Sequence, residues 1–315
     1  MKPYLKRAWA EISLSALEAN IRAISASLQG NTQIMAVVKA DAYGHGEAEI
    51  LQKLTQIGVR YFAVSNLDEA LHVRQYCPDS DVLILGYTPP EYADTLAQNN
   101  IIQGIVSAEY ACTLNARTRT PIRCHVKLDT GMGRIGITGD TPGDCADSIQ
   151  DMSFLRNLKI EGIYTHFAVA DMPDDPEQNA YTEAQKQFIR SVGTELMKRG
   201  VHLKHLHYLN SAGVLYHNDA NSTLARVGII MYGLAPNYPL PVPLDLKPVL
   251  SLKAVISHIK RVQPGTSISY GRTFRADHCM KIATVTVGYA DGYSRLLSSK
   301  ADVLVKGKRC PIVGR

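Results

Sequence analysis

QIMAVVKADAYGHG, Gln33 to Gly46, sets an apolar run of strand length against a lone lysine and a polar stretch broken by glycines. The same order recurs along the chain: a short Val- and Ile-rich run, a loop, then a helical segment. The runs are QIMAVVK (33–39), RYFAVSN (60–66), DVLILGY (81–87), IIQGIVS (101–107), PIRCHVKLD (121–129), LKIEGIYTHF (158–167), HLHYLNS (205–211) and STLARVGI (222–229). Between them lie helix candidates such as EAEILQKLTQIG, LDEALHVRQYC and PPEYADTLAQNN. Near-continuous apolar strands alternating with helices indicate parallel strands covered on both faces. Eight such units with no reversal in the middle favour an α/β fold closed as a (β/α)8 barrel over an open doubly wound sheet. No GxGxxG follows the first strand, as a dinucleotide-binding open sheet would require.

A barrel of this kind gathers its chemistry at the C-terminal ends of its strands. Lys39, Asp129, His166, Asn210 and Arg226 all fall at such ends. Near Asn237 the pattern changes. NYPLPVPLDLKP (237–248) is too rich in proline to continue a helix or to sit in a central strand. The barrel is therefore expected over 1–237, with the N-terminal strand and helix assignable to either part. A mostly-β domain is expected over 238–315, built from VLSLKAVISHIKRV, TSISYGRTF, MKIATVTVGYADGY and ADVLVKGKRCPIVGR. Its pattern stops at Arg315 without a closing element.

Composition narrows the function classes. The net charge of +5 is spread along the 315 residues, with no dense basic run interleaved with aromatics, so nucleic-acid binding is not expected. No run approaches the roughly 18 apolar residues of a membrane span. The N-terminus has no signal-peptide core. Six cysteines (77, 112, 124, 145, 279, 310) are scattered without a CxxC pair, which suits a reducing cytoplasm and no zinc ribbon. His202, His205 and His207 lack a matching carboxylate or cysteine set, so no metal is expected.

A lysine at a strand end either marks the strand's emergence into water or uses its amine, for instance as a Schiff base with a carbonyl compound. The following DAYGHG offers the Tyr43 hydroxyl, a histidine and two glycines where backbone can approach a bound group. In KLDTGMGRIG (127–136), Arg134 is either a surface residue after a turn or a fork for a carboxylate. In LARVGIIMYG (224–233), Arg226 lies in an apolar segment and needs a partner or ligand, and Gly228 permits close approach by a phosphate. Tyr270 and Tyr289 stand in glycine-flanked loops, but with 16 tyrosines in the chain most must be packing residues.

Together these segments resemble the bacterial alanine racemases, pyridoxal-phosphate enzymes of fold type III. AVVKADAYGHG matches the family's cofactor-lysine signature. VKLDTGMGRIG, THFAVAD, RVGIIMYGLAP, SYGRTF and VGYADGY follow in the family's order, over essentially the whole chain. The resemblance implies an isomerase that interconverts L- and D-alanine with pyridoxal 5'-phosphate, as a cytoplasmic homodimer supplying D-alanine for peptidoglycan. Lys39 would carry the cofactor and act as base on one face of Cα. Tyr270, from the partner subunit, would act on the other. Tyr43, Ser211, Gly228 and Ile229 would hold the phosphate. Arg226, oriented by His166, would bond the pyridine nitrogen, and Arg134 the substrate carboxylate. Lys127 matches a position often carbamylated in the family, and Tyr289 would line the substrate side. Family members continue past the point where this sequence ends, through a VCMDQ-like segment and a further tyrosine. Two other outcomes stay open at this stage: a serine racemase of the same family, and a pyridoxal-phosphate-binding fragment without turnover.

Overall fold

The structure is a computed structural model that describes residues 6–236 and 243–314. Its largest element is an eight-stranded parallel sheet in the order β8-β7-β6-β5-β4-β3-β2-β9. The strands are β2 (Gln33–Val37), β3 (Tyr61–Val64), β4 (Asp81–Ile84), β5 (Ile101–Ile105), β6 (Ile122–Lys127), β7 (Leu158–Tyr164), β8 (His205–His207) and β9 (Leu224–Val227). These are the eight apolar runs of the sequence. All five residues of β5 and all four of β9 are buried, as expected for strands covered on both faces. The first strand pairs with the last, Met35 opposite Arg226, and so curls the sheet into a barrel. At the one seam without a regular ladder, between β8 and β9, Thr223 N–H donates to Leu206 O (2.8 Å) and Arg226 N–H to Leu209 O (2.9 Å). Met35, Val37, Ala63, Leu83, Ile102 and Leu224 pack as one core cluster.

Helices return the chain from each strand end, and polar side chains start them. Asn66, Ser107, Thr141 and Asp175 each accept a backbone N–H in the first turn of the helix that follows. Such caps fix where each loop stops, and with it the shape of the barrel mouth.

The chain divides into two compact units, with the break between Val249 and Leu250. The barrel unit begins at Ser13 and includes the helix Leu14–Ser27. There the buried Asn20 donates to Met231 O (3.0 Å) and Lys247 O (2.8 Å). The first half of the proline-dense stretch, 237–242, lies outside the described residues. The other unit takes the described residues up to Ile12 together with those from Leu250. In it β1 (Ala8–Ile12) pairs antiparallel with β10 (Leu250–Ala254). It also contains the pairs β11 (Ile256–Val262) with β14 (Met280–Val285), β12 (Ser267–Ile268) with β13 (Phe274–Arg275), and β15 (Asp302–Val305) with β16 (Lys308–Pro311).

Near the N-terminal ends of the barrel strands a buried carboxylate gathers a cluster of cations. The register of β6 against β7 slips by one residue between Cys124 and His125, leaving Glu161 unpaired in the ladder. Its side chain, 1% exposed, meets Arg123 at 2.7 Å, Lys159 at 3.0 Å and Lys204 at 3.3 Å. Burial raises the Glu161 pKa, but the three cations outweigh it and hold the carboxyl at about 2, against an ordinary 4.5. A depressed carboxylate stabilises the fold above its unfolded pKa, and that contribution fades as pH falls from 4.5 to about 2. Glu161→Gln is expected to lower stability at neutral pH and to flatten this part of the acid limb. Unfolding followed by circular dichroism across that range checks it, and parallel curves for the two proteins would refute it.

Candidate active site

At the end of β2 the chain does not enter an ordinary loop. Lys39–Gly44 forms one helical turn, and Ala40, Asp41, Ala42 and Tyr43 have φ of 52, 53, 52 and 56°. Four consecutive L-residues are therefore left-handed, at roughly 1–2 kcal/mol each. The cost is met by specific bonds. Ala42 N–H donates to Val38 O (3.0 Å), and the Ala40 N–H to Glu69 Oε1 (2.8 Å). His45 Nδ1 lies 3.0 Å from Ala42 O and 3.1 Å from Tyr43 O, so it carries the proton and donates to both. Asp41 Oδ1 accepts the Glu47 N–H at 2.7 Å.

The turn directs Tyr43 at Gly228. A Cβ placed on Gly228 would stand 3.0 Å from the Tyr43 hydroxyl and 3.6 Å from Ser211 Oγ. Gly228 N–H donates to that Oγ at 3.0 Å. Ile229 opens the 3-10 turn Ile229–Tyr232, so its N–H falls outside the turn's own hydrogen bonds. Two hydroxyls and the Ile229 N–H thus gather around a spot that a side chain at Gly228 would crowd, an arrangement that suits an oxyanion. Burial raises the pKa of Tyr43, so its hydroxyl stays a donor.

Arg226, on β9, is 3% exposed. Its Nη1 bonds His207 Nδ1 (2.8 Å) and His207 O (3.1 Å). Its Nη2 reaches the carbonyls of Thr165 and Tyr208 and lies 3.5 Å from His166 Nδ1. No carboxylate meets it, and its Nε–H takes no partner among the described residues. Burial pushes its pKa down to about 10. A guanidinium only donates, so His207 accepts at Nδ1 and carries its proton on Nε2. That proton goes to His125 Nδ1 at 2.9 Å, and the His125 Nε2 is buried without a partner. Tyr164 stacks on His207 with its ring 5.1 Å away, and the Arg226 guanidinium lies 5.4 Å from the same tyrosine ring.

Three further cations act on this region. Lys39 is half-buried at the strand end. Lys127, on β6, is buried, donates to Leu128 O (2.6 Å) and lies 6.0 Å from the Tyr164 ring. Burial, aided by Arg226 and Arg134, pushes its ammonium down to about 8 against the pull of Asp129. Arg134 is presented by a loop that Asp129 organises. The Asp129 carboxylate accepts the N–H groups of Gly131 (3.1 Å), Gly133 (3.0 Å) and Arg134 (3.0 Å). Gly131 and Gly133 have φ of 130 and 68°, which glycine adopts freely. His166 registers the whole cluster: burial, then Arg226, Arg134, Lys127 and Lys39, push it down to about 3.

The other compact unit holds the two expected tyrosines. Tyr270 is 74% and Tyr289 61% exposed. Ser269, Gly271 and Arg272 around Tyr270 have φ of 62, 69 and 53°, a strained turn that presents the phenol outward. Tyr289 opens a 3-10 turn whose Asp291 pairs with Arg7, and Arg295 lies over its ring at 5.6 Å.

Lys39, Tyr43, Lys127, Arg134, His166, Ser211, Arg226, Gly228 and Ile229 all belong to the barrel unit, and Tyr270 and Tyr289 to the other. Sequence reasoning missed Glu69, His207, His125 and Tyr164. His207 had a usable signal, since an arginine in an apolar strand demands an acceptor on a neighbouring one. Among the described residues no group of three or more His, Cys, Asp or Glu could hold a metal ion, and no helix is long and apolar enough to cross a membrane.

Comparison with known proteins follows the same division. The family model for the alanine racemase N-terminal domain matches residues 12–236, and that for the alanine racemase C-terminal domain residues 249–315. An alanine racemase of Desulfovibrio desulfuricans is 40% identical over 310 residues, 98% of this chain and 82% of that protein. The structure of alanine racemase from Clostridium difficile 630 superposes with a TM-score of 0.88 at 34% identity, over 99% of this chain and 81% of that one. That from Bacillus anthracis with bound L-Ala-P gives 0.87 at 34% identity, over 99% and 80%.

Burial holds His125 and His166 at about 3 and His207 well below its usual value. The unfolded chain binds these protons first, so they withdraw stability as pH falls below the ordinary 6.5. Nitrogen-15 spectra are expected to show His125 and His207 as Nε2–H tautomers that do not titrate between about pH 8 and 5. Titration of either near its ordinary value would refute the relay.

Proposed function

The chain belongs to the alanine racemase family, and from that premise we propose that it is an isomerase interconverting L- and D-alanine with pyridoxal 5'-phosphate at the barrel mouth. The observation that carries this reading is the four-cation cluster of Lys39, Lys127, Arg134 and Arg226. The carboxylate of Asp129, which acts on Lys127, is occupied by three backbone amides. Such a cluster suits a ligand with several negative groups. The residues fit the cofactor. The Tyr43–Ser211–Gly228–Ile229 hollow suits a phosphate, and the free Arg226 Nε–H suits an acceptor such as a ring nitrogen. When bound, the cofactor supplies an electron sink that stabilises negative charge at the substrate Cα.

The chain's own residues do the rest. Lys39 Nζ would hold the cofactor aldehyde and, when the substrate amine takes its place there, would take or return the Cα proton on one face. Tyr270 Oη serves the opposite face, which racemisation requires because the proton must leave one side and return on the other. Arg226 would donate to the ring nitrogen without surrendering a proton, which would leave the ring a weaker sink and restrain side reactions such as transamination. The neutral His207, with His166 beside it, fixes the guanidinium plane. Arg134 holds negative oxygens of cofactor and substrate. Burial lowers the Lys127 pKa to about 8, so that part of it is free amine near neutral pH; its addition to carbon dioxide, with the amine proton lost to water, would leave a carbamate anion among these cations. We further propose that Tyr270 and Tyr289 complete the site of a second copy, in a cytoplasmic homodimer supplying D-alanine for peptidoglycan. Their exposure supports this, as does that of Leu252, Ile259 and Leu304 in the same unit.

Borohydride reduction of the cofactor-loaded protein is expected to leave the cofactor's mass on the peptide containing Lys39 and on no other. Label elsewhere, or none, would overturn the reading. Tyr270→Phe is expected to cut proton loss from one enantiomer by about 10²–10⁴-fold and to spare the other. Equal losses in both directions would exclude it as a one-face base. If the sites are composite, mixing inactive Lys39→Ala and Tyr270→Phe subunits should restore up to about a quarter of wild-type activity, since half the dimers carry one intact site. Gly228→Ala should weaken binding of pyridoxal phosphate far more than of pyridoxal, and equal weakening would count against the cradle.

A further inference from the structure

The left-handed turn is held by bonds within residues 38–47 and by one side chain from outside it. Ala40, Asp41, Ala42 and Tyr43 have no glycine among them, and the Ala40 N–H takes a side-chain acceptor in place of a backbone one. That N–H is met by Glu69, which sits in the first turn of the helix Leu67–Tyr76, after the next barrel strand. The other carboxylate oxygen, Oε2, accepts the N–H and the hydroxyl of Ser65, both at 2.8 Å. Burial raises the Glu69 pKa, but the backbone N–H groups of Ala40, Ser65 and Asn66 outweigh it and hold the group charged. Both oxygens are therefore acceptors, each for a different loop.

We infer that Glu69 is a positioning residue for this site, its Oε1 clamping the Ala40 N–H so that the left-handed turn carries Tyr43 to the Gly228 hollow. The inference rests on the proposed function only in taking that hollow as the phosphate cradle. Glu69 acts through the backbone that follows Lys39. The plainer role is a helix cap, because Asn66 Oδ1 accepts the Glu69 N–H at 3.0 Å and the carboxylate lies at the positive end of the helix. The two roles separate by chemistry. A glutamine has one acceptor and one donor end, so it can serve Ala40 or Ser65 and must set an N–H against the other. Asn66→Ala removes the same helix's cap and leaves the Ala40 bond intact.

The test compares the wild-type chain with Glu69→Gln and Asn66→Ala. Amide exchange over 38–46 is followed by mass spectrometry with and without added pyridoxal phosphate, and affinities are measured for pyridoxal phosphate and for pyridoxal. Glu69→Gln is expected to speed exchange in this segment about tenfold and to lower the ratio of pyridoxal phosphate to pyridoxal affinity about tenfold. Asn66→Ala is expected to lower melting temperature and to change neither quantity. If Glu69→Gln does not fold, Glu69→Asp takes its place. It keeps the charge at the helix end, retracts the carboxylate by one methylene, and should give the same result. Unchanged exchange in the Glu69 variants, or equal changes in Asn66→Ala, would overturn the clamp. Should wild type bind no pyridoxal phosphate, the functional reading fails instead, and exchange without ligand still decides whether Glu69 holds the turn.

Discussion

A guanidinium buried without a carboxylate opposite it governs this structure. Arg226 closes the barrel seam through its backbone N–H to Leu209 O and spans the ends of β8 and β7 through its side chain. Leaving a charge unpaired in a protein interior is costly. Here the compensation comes from carbonyl oxygens and a neutral histidine, which absorb hydrogen bonds and no net charge. The cation is left available to a ligand, and the seam that carries it is the place where the regular ladder is interrupted.

The rest of the mouth follows from that choice. Lys127 and Arg134 add to the same positive field, which adds to the effect of burial in depressing the pKa of His166. Asp129, the carboxylate that acts on Lys127, is spent on three amides of the loop that carries Arg134. A carboxylate free to pair with Arg226 would neutralise the field and, set against a ring nitrogen, would favour that nitrogen's protonated form. The histidine chain has the opposite effect: each imidazole is held neutral by burial, and its tautomer is set by the donor before it.

The eight apolar runs were legible as β2 to β9 because strands buried on both faces have no polar side to disguise them. Lys39 and Arg226 were legible because a charged residue in or at the end of such a run is out of place. The turn after Lys39 was not legible. Ala-Asp-Ala-Tyr has no local preference for positive φ, and the bonds that hold it come from Glu69, His45 and Val38. Glu69 itself looked like any acidic residue in a first helical turn, since its distinguishing contact lies 29 positions away.

By itself the sequence determined the periodicities, and with them the barrel, its strand order in type, and the cations delivered to its mouth. Those depend on side-chain polarity at fixed spacing, which is a local property. Only the tertiary structure decided the hand of the turn at Tyr43, the partners of Arg226 and the protonation of the histidines. These depend on which donors and acceptors meet across strands and loops after burial has removed water as the alternative.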